Sequence, residues 1–282
     1  MRVLSTDSLP DAVALPGVMR RALSTASIGW SSSITFATLG TAITTLVLVP
    51  GLNVLFTVLL GADLAANDTV RIGCATALIA TLSSVAAGIV ARVATDRWIG
   101  VFEYVCTARP VDAGYWLGAA AVPALLASVT GLSNVGIVWL LSLTAPSTGA
   151  VSGLLLGTLA LMPVAVLGGV CLGIFAAGLG LYLSDPYTGS NFLAIILPVS
   201  AGVIVPVSTY PAWLAWLCSW VPGSRLVQAL DASVGIASSA APNTFALLVA
   251  DTALAMLYAA IGLGLTYLAA RRIRAGARAS LL

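Results

Sequence analysis

The chain has 282 residues, of which 60% are hydrophobic and only 8% are charged, and its mean hydropathy is +1.06. A soluble domain carries about 25% charged residues, so this composition excludes an ordinary soluble domain and is typical of an integral membrane protein. Proteins that bind nucleic acid are usually strongly basic, so the net charge of +2 gives no support for that function.

Apolar runs divide the chain into six predicted spans. We expect residues 1–37 to hold a helix lying in the membrane interface, with an ordinary juxtamembrane flank as the alternative. The six-span domain covers residues 38–270, and residues 271–282 form a basic tail. The spans are predicted at residues 38–61, 72–91, 113–143, 151–183, 191–206 and 244–270. The fifth reaches only about 24 Å against a hydrocarbon core of about 30 Å, so the segment after it must help to complete the crossing.

The arginines predict the orientation of these spans. All twelve basic residues are arginine, and in this topology ten fall on one side of the membrane and two, Arg71 and Arg225, on the other. The set of ten comprises Arg2, Arg20, Arg21, Arg92, Arg97, Arg109, Arg271, Arg272, Arg274 and Arg278. Cytoplasmic loops carry the excess of basic residues, so we expect both termini in the cytoplasm. Arginine without lysine, in a chain rich in Ala, Gly, Val and Leu, is typical of a GC-rich bacterial genome, so we expect a bacterial cell membrane.

A tryptophan-rich segment between the fifth and sixth spans predicts a re-entrant hairpin over residues 206–232. Its indoles belong to Trp213, Trp216 and Trp220, whose offsets of three and four put them on one side of a short helix. Pro211 suits the first turn of that helix and Pro222 suits its end. So short a helix cannot cross a bilayer, and indole rings prefer the headgroup level. The arginine pattern puts this hairpin outside.

A second segment, residues 95–108, lies in the predicted cytoplasmic loop between spans two and three. Trp98, Val101, Phe102 and Val105 fall on one face and the charged residues on another, which predicts an amphipathic helix on the cytoplasmic surface. The candidate residues for contact with a partner are Asp96, Arg97, Gly100, Phe102 and Glu103. A surface helix with snorkelling side chains is the alternative.

Both segments resemble the signature of type-2 ABC exporter permeases, the superfamily that exports drugs, lipids and polysaccharides. The hairpin carries the resemblance in Pro206, Tyr210-Pro211-Ala212-Trp213-Leu214, Val221-Pro222, Leu226 and Ala229-Leu230. The loop carries it in Asp96-Arg97, Gly100, Phe102-Glu103, Val105 and Pro110. The resemblance implies an N-terminal connecting helix, a coupling helix that contacts an ATPase, and an extracellular hairpin.

The resemblance also implies a function and partners. It implies the membrane subunit of an ATP-driven exporter, with a second permease subunit, identical or different, and two copies of an ATPase. The chain has no G-x-x-x-x-G-K-[ST] motif, so ATP and Mg²⁺ are expected on the ATPase and no cofactor, metal site or enzyme chemistry on this chain. The apolar spans suit a hydrophobic or amphipathic substrate: a drug, antibiotic, peptide or lipid-linked compound.

Two other classes stay open. An ion- or proton-coupled secondary transporter would show paired broken helices and buried charges at mid-membrane. A non-transporting assembly or immunity factor would need no ATPase. The neighbouring gene discriminates between these classes, because the gene of an exporter permease is expected to lie next to one that encodes an ATPase with a Walker motif.

Isolated residues within the spans allow further predictions. Asp251 lies about eight residues into the last span. It is either a polar group on the export path or at the dimer seam, or a carboxyl that is hydrogen-bonded between helices, and we favour the second interpretation. Small residues at Gly169, Gly173 and Ala177 predict close helix packing. Cys74 and Cys218 either form a disulfide or, as we favour, stay isolated buried thiols.

Overall fold

The computed structural model describes residues 17–63, 68–108, 113–143, 151–233 and 243–279. Every regular element in these ranges is helical. Arg109 and Pro110, residues 1–16 of the N-terminal segment and residues 280–282 of the tail lie outside the described residues. In these ranges the fold is all-α, which agrees with the helical spans predicted from the long apolar runs.

The helices follow one another with short connections. In chain order they are α1 (Gly17–Ser31), α2 (Leu39–Ile43), α3 (Val49–Asp63), α4 (Thr69–Trp98), α5 (Val101–Ala108), α6 (Ala113–Ser142), α7 (Val151–Gly180), α8 (Thr188–Ser200), α9 (Ala212–Cys218), α10 (Ser224–Ser233) and α11 (Thr244–Ala279). A π-helical segment, Thr44–Leu48, joins α2 to α3, so the two form one continuous rod.

Five of the described helical segments are long and apolar enough to cross a membrane. They are the α2–α3 rod, α4, α6, α7 and α11, and they correspond to the first, second, third, fourth and sixth predicted spans. The predicted fifth span coincides in part with α8, which has only 13 residues and covers about 20 Å at 1.5 Å per residue. A sixth crossing therefore stays a prediction.

Helices α4 and α7 form the centre of the bundle because small residues let their backbones approach. A Cβ added to Gly169 would lie 2.5 Å from the Leu82 carbonyl oxygen, and one added to Gly173 would lie 3.0 Å from the Ala86 Cα. On the same helix, a Cβ on Gly178 would lie 2.6 Å from the Gly262 carbonyl oxygen of α11. The predicted packing of small residues is confirmed at these positions.

The outer helices are covered much less. Val54 and Gly61 are buried in α3, and no residue is buried in α2. Helix α1 packs on α6, where a Cβ on Gly118 would lie 2.6 Å from the Ala22 carbonyl oxygen. Ala22 is the buried residue of α1, whereas bulkier apolar side chains of the same helix, such as Met19 and Leu23, are exposed.

Candidate functional site

The predicted single helix over residues 95–108 is wrong, because the chain breaks in the middle of it. Helix α4 continues to Trp98, and α5 begins at Val101. Between them Gly100 has φ +76°, in the left-handed region that glycine occupies without a steric penalty. The Ile99 N–H donates to the Thr95 carbonyl and the Gly100 N–H to the Arg97 carbonyl, which closes the end of α4. We call residues 98–104 around this turn the break.

Asp96, a predicted contact residue, is buried just before the break, with 3% of its surface exposed. The Tyr115 hydroxyl donates to its Oδ2 at 3.0 Å, and the Arg92 Nη2 lies 3.4 Å from its Oδ1. Arg92 also donates to the Ser32 hydroxyl at 3.1 Å. A buried carboxylate needs such partners, so Asp96 fastens α4 to α6 and to the segment after α1 instead of facing a partner protein.

Arg97 is bonded to the end of α7. Its Nη1 donates to the carbonyl oxygens of Gly180 at 2.8 Å and Leu183 at 2.9 Å. The last carbonyls of a helix have no partner within the helix and carry a partial negative charge, so an arginine there is favourable. Arg97 therefore joins the ends of α4 and α7, the two central helices.

Helix α5 buries one side against the bundle. Phe102 is 1% exposed and meets Tyr115 edge to face, with ring centroids 6.4 Å apart. Cys106, one turn further on, is fully buried, and burial raises the pKa of its thiol to about 11. Phe102 holds α5, and with it the break, to α6 through Tyr115, and α5 also packs against α4 and α11.

The exposed side of the break is apolar and aromatic. Trp98 is 73% exposed and Tyr104 is 75% exposed, and Ile99, Val101 and Glu103 are also exposed. We call these five residues the break surface. Of the predicted contact residues, only Glu103 belongs to the break surface, and Gly100 lies exposed beside it. Helical periodicity placed Trp98 and Phe102 on one face, but the turn at Gly100 separates them.

At the other end of the bundle, the predicted short aromatic helix is present. It is α9, seven residues long, and Pro211 precedes it with φ −54° and ψ 145°. Trp213, Trp216 and Trp220 are 69%, 64% and 51% exposed, and the last two rings meet edge to face at 6.1 Å. Pro222 follows α9 and precedes α10, as predicted.

A buried ion pair that the sequence did not reveal fixes the base of this hairpin. Arg71, at the start of α4, donates from Nε to Asp231 Oδ1 and from Nη2 to Asp231 Oδ2, both at 2.8 Å. It also donates to the carbonyl oxygens of Val203 at 3.1 Å and Gly202 at 3.3 Å. Arg71 is 4% exposed. We call this arrangement the hairpin clamp, because it joins α4, the start of the hairpin and α10.

Asp251 attaches the hairpin to α11. It is 2% exposed, and its two carboxylate oxygens lie 3.0 and 3.1 Å from the Gly223 nitrogen, which donates to them. The Tyr258 hydroxyl, two turns further along α11, donates to the Trp220 carbonyl at 3.1 Å. This geometry agrees with the favoured interpretation of Asp251 as a hydrogen-bonded carboxyl between helices.

Two cavities flank α11. One of about 380 Å³ lies at the hairpin end and is lined in part by Trp216, Trp220 and Arg225. The other, of about 460 Å³, lies at the opposite end, between α6, α7 and α11. All four cysteines are buried free thiols, so Cys74 and Cys218 are not joined by a disulfide.

No family model matches this chain, and no curated protein is significantly similar to it. The resemblance to exporter permeases therefore stays a hypothesis from the motifs of residues 96–110 and 200–230.

Proposed function

We propose that this chain is the membrane-spanning permease subunit of an ATP-driven exporter and that a separate ATPase docks on the break surface. The proposal is supported by one observation: exposed aromatic side chains lie next to residues that are hydrogen-bonded into the bundle. Trp98 and Tyr104 are about three-quarters exposed, while Asp96 and Arg97 beside them are hydrogen-bonded into the bundle. A cluster of exposed large apolar side chains marks a site of interaction.

The support gives the break surface a mechanical connection to the spans. Asp96 holds it to α6 through Tyr115, and Arg97 holds it to the carbonyl end of α7. A push on the break surface would therefore move α4, α6 and α7 together as a rigid body instead of bending a flexible loop. Rigid-body motion of packed helices is one of the ordinary ways in which proteins switch between states.

Helix α4 extends this connection to the hairpin. From Arg71 to Arg97 it runs through 26 residues, or about 39 Å at 1.5 Å per residue, which exceeds the hydrocarbon core. One end carries the break surface and the other carries the hairpin clamp. Movement at the ATPase would in this way reach the hairpin, which we propose to act as an extracellular lid.

The remaining parts of the proposal follow from the arginine pattern and the resemblance. The subunit has six spans, with α8 and the hairpin together forming the fifth, and it lies in a bacterial cell membrane with both termini in the cytoplasm. It pairs with a second permease subunit and two ATPases, which bind ATP and Mg²⁺. Its substrate is hydrophobic or amphipathic.

Affinity purification from the native membrane tests the proposal. The tagged chain should retain an ATPase with a Walker motif, identified by mass spectrometry, together with Mg²⁺-dependent ATP hydrolysis in the eluate. Trp98→Ala combined with Tyr104→Ala should lose both, because the two largest side chains of the break surface are removed.

Trp139→Ala is the matched control, since Trp139 is a 51% exposed tryptophan near the opposite end of α6. It should retain the ATPase. A wild-type chain that retains no ATPase would contradict the exporter proposal, and a double variant that retains it fully would contradict docking at the break surface.

A further inference from the structure

The larger cavity beside α11 is an unassigned feature of the bundle. Its volume is about 460 Å³, within the range of roughly 300–1,000 Å³ that is usual for sites of small ligands. Its walls include Trp116, Ala120, Ile174, Leu263 and Tyr267. Thr266 also lines it, but the Thr266 hydroxyl already donates to the Gly262 carbonyl at 2.9 Å. The walls are therefore mainly apolar.

An arginine lies about one helical turn beyond the cavity lining along α11. Leu263, Tyr267 and Arg271 are spaced by four residues, which puts them on one face of the helix. Arg271 is exposed and lies about 6 Å beyond Tyr267 along the helix axis, at 1.5 Å per residue. Within the part of the chain that the structure describes, no hydrogen bond or ion pair engages its guanidinium.

The neighbouring arginines of α11 are engaged elsewhere. The Arg272 guanidinium lies over the Tyr182 ring, 5.4 Å from its centroid. Arg274 donates from Nε to the Ala270 carbonyl at 3.2 Å. Arg271 is therefore the arginine of this stretch that is placed to receive a ligand in the cavity.

The end of the bundle that holds the cavity is electropositive. Among residues whose side chains the structure describes there, seven are arginines and three are carboxylates. The arginines are Arg20, Arg21, Arg92, Arg97, Arg271, Arg272 and Arg274, and the carboxylates are Asp96, Glu103 and Asp185. Asp96 is already bonded to Tyr115 and Asp185 to the Tyr187 backbone N–H. A ligand with an apolar chain and an anionic head complements this arrangement.

We propose that this cavity binds one anionic glycerophospholipid, with an acyl chain against Trp116 and Leu263 and the phosphate on Arg271. Basic pockets between helices at the cytoplasmic side are suited to lipid phosphates, and arginine contacts phosphate with two parallel N–H groups. A chain that leaves the bilayer for the cavity gains little from the hydrophobic effect, so the headgroup decides which lipid stays bound. The electropositive end attracts a headgroup of net negative charge and repels the choline of a zwitterionic one.

The size of the cavity favours a lipid over a helix of a second copy. An α-helix with side chains is about 10 Å wide and rises 5.4 Å per turn, so 460 Å³ holds roughly one turn. One turn is too little for a docked helix. A thin acyl chain can extend along the same space. The lipid site does not depend on the proposed export function.

Native mass spectrometry of the purified chain tests the site. The chain is titrated in detergent with phosphatidylglycerol and, separately, with phosphatidylcholine of the same acyl chains. The wild type should retain one phosphatidylglycerol in preference to phosphatidylcholine. Arg271→Gln should weaken phosphatidylglycerol binding about fivefold, the scale of one arginine at an anionic lipid surface. The matched control Arg272→Gln removes the same charge from another face and should leave binding unchanged.

A second pair of variants tests the chain-binding part. Leu263→Trp fills the cavity and should lower binding of the single tight lipid, whereas Leu268→Trp, at an exposed leucine that does not line the cavity, should not. Both leucines are partly exposed, so both variants should fold. Equal binding of the two lipids by the wild type, or no effect of Arg271→Gln, would overturn the proposal. Loss of a dimer in Leu263→Trp with unchanged lipid binding would assign the cavity to a second copy and also overturn it.

Discussion

The hairpin clamp offers the sharpest test of how the fold is held together. Asp231→Ala removes both carboxylate oxygens that accept from Arg71 at 2.8 Å. Among the described residues, the guanidinium then keeps the carbonyl oxygens of Gly202 and Val203 as partners. Breaking a buried ion pair by removing one partner costs about 3–5 kcal/mol, against about 0–1 kcal/mol for an exposed pair. The Asp231 side chain is 14% exposed, so we expect the lower end, about 3 kcal/mol.

Thermal unfolding in detergent measures this loss. On the scale of about 2–4 °C per kcal/mol for chains of 150–250 residues, 3 kcal/mol corresponds to a fall of about 6–12 °C in Tm. Arg20→Ala, which removes an exposed charge from α1, is the control and should change stability by at most about 0.5 kcal/mol.

A double-mutant cycle separates the pair from its surroundings. Once Asp231→Ala has been made, Arg71→Ala should cost much less than it does in the wild type, because the charge it removes has already lost its partner. Additive effects of the two substitutions, or a shift for Asp231→Ala no larger than that of Arg20→Ala, would refute the clamp.

Three further predictions concern the break and the hairpin. Gly100→Ala should lower stability by about 1–2 kcal/mol without loss of the fold, since φ is +76° but, apart from the chain neighbours, no described residue lies within 4 Å of the added Cβ. A Tm equal to that of the wild type would contradict this. Cys106 should resist a maleimide at pH 8 until the protein unfolds, because burial raises the pKa of its thiol to about 11. This folded pKa lies above the ordinary value of 9.0, so the stability that the thiol contributes is present below pH 9 and is lost between pH 9 and 11. Trp213→Ala with Trp216→Ala should reduce export while the complex still assembles, and full export at equal expression would exclude the lid.

The parts of the fold that depend on local pattern could be predicted from the sequence. Long apolar runs gave the five long helical segments, because a span needs about 20 consecutive apolar residues. Proline and tryptophan spacing gave the short helix α9, and small residues at intervals of four gave the close contact of α7 with α4. Each of these signals lies within some thirty residues of chain.

The contacts that hold the candidate site together could not be predicted in this way. Arg71 and Asp231 are 160 residues apart, and nothing near either residue indicates the other. In the sequence, Arg71 was one of the two arginines assigned to the outer side of the membrane, and it served only to predict the orientation of the spans. Asp96 was predicted to lie at the surface, because its hydrogen-bond partner Tyr115 belongs to the next span and the local pattern does not reveal this contact. The helix period alone does not show which side of a helix the bundle covers.

The break shows a different limit of pattern reading. An apolar periodicity ran through residues 95–108 and predicted one helix, although Gly100 interrupted it. An isolated glycine within a helical pattern lowers the helix propensity by about 1 kcal/mol, which does not by itself end a helix. Here local hydrogen bonds within residues 95–100 close the end of α4, and the burial of Phe102, which depends on the surrounding bundle, stabilises the turn.

Photo-crosslinking identifies the protein that docks on the break surface. A photoreactive amino acid is placed at position 104, which is 75% exposed, and the chain is irradiated in its native membrane. The same amino acid at position 139 is the control. Position 104 should form an adduct with an ATPase that carries a Walker motif, and position 139 should not. Adducts of position 104 with lipid or with other copies of this chain alone would contradict it.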